Sequence, residues 1–146
     1  MDNQQYYELA RRRVLYHQEW TAQELQRQEE ARAQARRAQE EYIRKSREAL
    51  ERSRALLLAH LDPVQRKTFE KNHWFVVEGG KTKQKYRINT KAYAGNIDVL
   101  AGGKITHRLC VHCNDGIPMH DHHLAQKLWL EHDEERILSI ANRRAA

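Results

Sequence analysis

Proline and glycine are nearly missing from this chain: it has two prolines and six glycines in 146 residues, and none of either from Asp2 to His60. Large apolar side chains are equally scarce there. Between Thr21 and Glu41 the apolar residues are Leu25 and the alanines at 22, 31, 33, 35 and 38. Such a segment has too little to bury to form a globular domain. No apolar run approaches the roughly 18 residues of a membrane span, and the start MDNQQYYELARRR has no apolar signal-peptide core. Cytoplasmic synthesis is expected, with no membrane partner. The two cysteines, Cys110 and Cys113, then read as thiols or metal ligands rather than a structural disulfide.

Catalytic patterns are missing too. There is no recognisable Ser/His/Asp arrangement and no paired catalytic carboxylate. Gly79-Gly80 and Gly102-Gly103 lack the frame of a phosphate-cradling loop. His17, His60 and His73 are isolated. The expectation is that the protein is not an enzyme.

What is present is a long stretch of strong helix formers, Ala, Arg, Gln and Glu. About 55 helical residues would reach roughly 80 Å at 1.5 Å per residue. Residues 1–61 are expected to be this docking or oligomerisation rod, and residues 62–146 a small α+β domain. Tyr6, Tyr7, Leu9, Ala10, Val14, Leu15, Tyr16 and Trp20 form an aromatic, apolar start that reads as a docking face. The middle carries a weak seam of Ala31, Ala35, Ala38, Tyr42, Ala49 and Leu56, a poor coiled-coil stabiliser. Pairs such as Glu40–Arg44 and Glu48–Arg52 suit a solvated helix; the seam suits a packed one, and both readings stand. Leu50, Ala55, Leu56, Leu57, Leu58 and Leu61 should seat the rod on the domain that follows.

Asp62-Pro63 signals a new helix, Asp as N-cap and Pro in the first turn, running to about Asn72. Strand-like segments follow at Trp74–Glu78, Lys83–Asn89, Asn96–Leu100 and Lys104–His112, closed by glycine turns. Their order predicts an antiparallel meander of three or four strands. Asp121 reads as the N-cap of a helix to about His132. Asp133-Glu134-Glu135 opens another helix, or a bend in the same one, ending near Arg143.

The net charge is +6 and the pI near 9.5, which admits a polyanionic partner. Residues 1–61 are nearly balanced, with 12 Lys/Arg against 10 Asp/Glu; residues 62–146 have 14 against 10. Much of that excess lies in Lys81, Lys83, Lys85 and Arg87, with Lys91 nearby and no acid between Gly79 and Asn96. On one strand these odd positions would share a face and suit a phosphate backbone, with Tyr86 or Tyr93 to stack on bases. They equally fit an exposed edge strand guarded by lysine. The other candidate site is Cys110-Val111-His112-Cys113 with His120 and His122 or His123, a C-x-x-C and a histidine pair that could close around Zn²⁺. The plainer reading has Cys110 and His112 alternating with Leu109 and Val111 on the last strand, and the later histidines around a helix start.

Tyr86-Arg87-Ile88, Gly95-Asn96-Ile97, Leu109-Cys110-Val111-His112, Ile117-Pro118 with Asp121, and Leu124-Ala125-Gln126-Lys127-Leu128 resemble small uncharacterised proteins encoded in phage and bacterial genomes. The resemblance implies a viral or mobile-element setting and no functional residue. The leading expectation is a non-enzymatic structural or assembly protein, a phage virion component docking through its long helix onto other subunits. The alternative is a nucleic-acid-binding module using the basic strand at 81–87, stapled by zinc.

Overall fold

A computed structural model describes residues 2–112 and 116–145. Helix α1 (Asn3–His60) fulfils the helix-former run: 58 residues without a break. Contacts divide the chain into two units, Met1–Ser46 and Arg47–Ala146. The division thus falls within α1, before the expected boundary at 61/62.

Unit 1 is the helix alone. Tyr6, Tyr7, Leu9, Val14, Tyr16, Trp20, Leu25 and Tyr42 are all exposed. Polar pairs along its surface, including Gln26–Glu30 at 2.9 Å and Lys45–Glu41 at 2.8 Å, each support the helix by a few tenths of a kcal/mol.

In unit 2, the last turns of α1 bury Ser53 and Leu57, and Leu58 packs against the same core. Asp62 then caps α2 (Pro63–Asn72). Its carboxylate accepts the amides of Val64 and Gln65, both at 2.8 Å, and the Gln65 side chain returns to the Asp62 amide. That reciprocal cap satisfies donors the first turn would leave orphaned. His73, at φ 60°, ends the helix and turns the chain into the sheet.

Strands β1 (Trp74–Glu78), β2 (Lys85–Asn89), β3 (Ile97–Ala101) and β4 (Lys104–Cys110) form the antiparallel meander in sequence order. The β3–β4 turn is Gly102-Gly103, both at positive φ (56° and 80°), as a tight hairpin requires. After α3 (Met119–His132) and α4 (Glu134–Ile140), a fifth strand, β5 (Asn142–Ala145), pairs antiparallel with β4. The helix expected to continue to Arg143 stops at Ile140. Helix α3 begins at Met119 with Pro118 at the cap, so Asp121 lies in its first turn rather than at the N-cap.

One face of the sheet is buried. Cross-strand partners Phe75, Ile88, Ile97 and Leu109, and beside them Val77, Tyr86 and Val99, join Leu57, Leu61, Phe69, Leu124, Leu130 and Ile137 in one core. Each such side chain contributes roughly 1.5–3 kcal/mol by leaving water. The opposite face carries Trp74, Val76, Arg87, Leu100, Ile105 and Arg108, all partly or fully exposed.

Candidate functional site

The expected docking face of α1 is present as an exposed apolar surface. At 100° per residue, Leu9, Tyr16 and Trp20 cluster on one flank, Tyr7 and Val14 on the other, with Tyr6 between them. They cover about half the circumference, broader than a coiled-coil seam. Tyr7 and Tyr16 are each 73% exposed and Trp20 is 56% exposed. Among the described residues nothing in unit 1 buries them.

The basic segment does not form one strand. Strand β2 begins only at Lys85, so Lys81 and Lys83 lie in the β1–β2 loop, with Lys83 in the left-handed region at φ 62°. Lys81 pairs with Glu135, and Lys83 with Glu78 at 3.5 Å. Lys85 stands opposite Glu78 in the register. Arg87 donates to Asp98 at 2.8 and 3.0 Å and lies over the Trp74 ring at 5.6 Å. Lys91 is exposed in the β2–β3 loop. Most of the expected phosphate-facing charge is therefore answered by acids of the chain itself.

The loop is held by a residue that the sequence did not single out for this role. The buried Glu134 carboxylate accepts the Lys81 amide (2.9 Å), the Thr82 amide (2.8 Å), the Thr82 hydroxyl and the Tyr86 hydroxyl (2.7 Å). Burial alone would raise its pKa, but these donors, led by Thr82, outweigh it and hold the carboxyl below its ordinary 4.5. Burial, reinforced by Glu134, pushes the Tyr86 phenol upward. Gly79 and Gly80 are required beneath this clamp. A Cβ on Gly79 would lie 2.2 Å from the Glu134 carboxylate, and one on Gly80 2.0 Å from the Glu131 carbonyl.

Strand β4 stops at Cys110 rather than reaching His112; Leu109, Cys110 and Val111 are all buried, His112 is exposed, and Cys110 Sγ lies 3.4 Å from His112 Nε2. Cys113 lies outside the described residues. The Tyr93 ring stacks on His122 (centroids 4.6 Å, 17°) and is tilted against His112 at 6.4 Å. His120 meets Phe69 edge-on at 5.7 Å. His122 Nε2 is 2.9 Å from the amide nitrogen of Gln126, which pairs reciprocally with Asn96 at 2.7 and 3.0 Å. His122 Nε2 is therefore the acceptor of that bond, its lone pair already used. Among the described residues no three His, Cys, Asp or Glu side chains converge to hold a metal ion.

The Nδ1 atoms of His120, His122 and His123 are buried without a hydrogen-bond partner among the described residues. Burial, partly offset by the Ala92 carbonyl at 3.3 Å, pushes His123 down to about 4. Burial also lowers His122, partly offset by the Tyr93 backbone, and lowers His120 with help from Arg54. The three are neutral at pH 7 and cannot gain a proton without charging the interior.

A second charged group assembles on the open sheet face from four strands. Adjacent strands place Arg87, Asp98, Arg108 and Arg144 in one row. Asp98 is only 5% exposed; one carboxylate oxygen accepts Arg87 and the other Arg108 Nε at 2.9 Å. Of this row the sequence singled out Arg87 alone, since register was needed to bring the other three beside it.

Among the described residues no helix is long and apolar enough to cross a membrane. Comparison with known proteins gives no match: no family model, curated protein or solved structure corresponds to this chain.

Proposed function

We propose that this protein is a non-enzymatic assembly protein that engages another subunit through the first part of α1. The observation that carries this reading is the exposed half-cylinder of Tyr6, Tyr7, Leu9, Val14, Tyr16 and Trp20 on a segment with no core of its own. Aromatic side chains bring large contact area at low entropic cost, and an amphipathic helix binds by laying such a face into an apolar groove. Most helical stability in proteins comes from tertiary packing of an amphipathic face, so a groove would also stabilise this segment. The engaged state of Glu134 and Asp98, each fully occupied by donors of the chain, favours structure over catalysis.

The resemblance of the C-terminal half to small phage and bacterial proteins makes a virion the first assembly to examine. The test is size-exclusion chromatography with light scattering on the isolated protein, and its detection in purified particles. The expected result is stoichiometric recovery in the particle. A monomer absent from every assembly overturns the reading.

A further inference from the structure

We propose that the open face of the sheet binds single-stranded nucleic acid, with Arg108 and Arg144 taking backbone phosphates and Trp74 stacking on a base. This stands on different residues from the α1 docking surface and does not depend on it.

Three guanidinium groups and one carboxylate stand in register across β2, β3, β4 and β5. Asp98 is buried under them and uses both oxygens on Arg87 and Arg108. It thereby fixes the planes of two cations without neutralising the third. Arg108 donates to Asp98 through Nε, so its outer Nη edge remains available, with 48% of the side chain exposed. Directly opposite it in the register stands Arg144, exposed and without an ion pair among the described residues. Like charges facing each other across an antiparallel pair are destabilising. A bridging phosphate relieves that repulsion and fits the guanidinium fork.

The aromatic decides between anions. Trp74 is half-buried on the same face, with Arg87 over its ring at 5.6 Å. A sheet face with an aromatic ring and ordered guanidinium groups is a platform for unstacked bases, whereas an acidic peptide has no use for the indole. Strands lie about 4.8 Å apart, so Arg87 to Arg144 spans roughly 14 Å, enough for a short stretch of backbone.

The test is fluorescence anisotropy of the full chain with labelled oligo(dT) and oligo(rU) of about 12 nucleotides, titrated from about 50 to 200 mM salt. Binding is expected to weaken with salt. Arg108→Glu with Arg144→Glu should weaken it at least tenfold and flatten the log K against log salt slope by about 1.4, since each single-strand phosphate contact contributes about 0.7. Arg144→Gln, at an exposed strand that leaves the Asp98 bridges intact, should weaken binding without lowering the melting temperature, since it relieves the repulsion with Arg108. Trp74→Ala should cost about fivefold or more, and Lys81→Glu with Lys83→Glu less than twofold. No binding at low salt overturns the proposal. So does binding that Arg144→Gln and the double Arg variant leave unchanged, or preference for poly-glutamate over both oligonucleotides.

Discussion

Helix α1 passes through two environments. Its first 44 residues present tyrosines and a tryptophan to solvent, while its last 14 bury Ser53 and Leu57 in a core shared with the sheet. The helix propensity is similar throughout. What differs is that Leu57 joins Phe69 and Phe75 in the core cluster and Leu58 packs against it, whereas Tyr7, Tyr16 and Trp20 stay mostly exposed, with only the His17 ring edge-on to Trp20. An apolar residue stabilises a fold only where something covers it. Large side chains left uncovered contribute nothing to the free chain and are available to a partner.

Substitutions can sharpen this contrast. Leu57→Ala should cost about 3 kcal/mol in urea denaturation, the usual price of a core cavity, while Tyr16→Ala should stay within about 0.5 kcal/mol. Equal losses at both positions would erase the distinction.

Acid should destabilise unit 2. A histidine whose folded pKa lies below its ordinary 6.5 leaves the unfolded chain with more bound protons, so stability is full above pH 6.5 and falls as pH drops toward the folded value. His123, at about 4, alone accounts for about 3 kcal/mol across that window, and His120 and His122 act in the same direction. Glu134 adds a loss that begins below about 4.5 and completes as pH passes through its depressed value. Urea midpoints at pH 7.5, 6 and 5 should fall steadily; a flat profile would remove the buried-histidine account.

Smaller effects test the loop and the cap. Gly80→Ala should destabilise by about 1–3 kcal/mol, because its Cβ meets main chain rather than a movable side chain. Asp62→Ala should cost about 1 kcal/mol, with Asp62→Asn milder. Both are read from thermal melts.

The elements resting on local chemistry were legible in the sequence. Asp62-Pro63 starts α2, Gly102-Gly103 closes the β3–β4 hairpin, and the leucine-rich end of α1 enters the core. What was missed depends on distant partners. Residues 81–84 have strand-like spacing, yet Glu134, about 50 positions away, takes the amides of Lys81 and Thr82 and bends them into a loop. Asn-Arg-Arg-Ala has no alternation of apolar residues and becomes β5 only because β4 offers an edge. The basic cluster was therefore expected along one segment, whereas register assembles another across four strands. The α1 face was readable because exposure there needs no partner in the chain.

The central claim is that the uncovered start of α1 binds another subunit. Its most direct test is quantitative mass spectrometry of proteins co-purified with the full chain from assembled particles, compared with a Tyr7→Gln, Tyr16→Gln, Trp20→Gln variant of matching helicity and melting temperature. The account predicts one subunit at a fixed ratio with the unaltered chain, reduced at least tenfold with the variant. Recovery of the same subunit at the same ratio with both chains would contradict it.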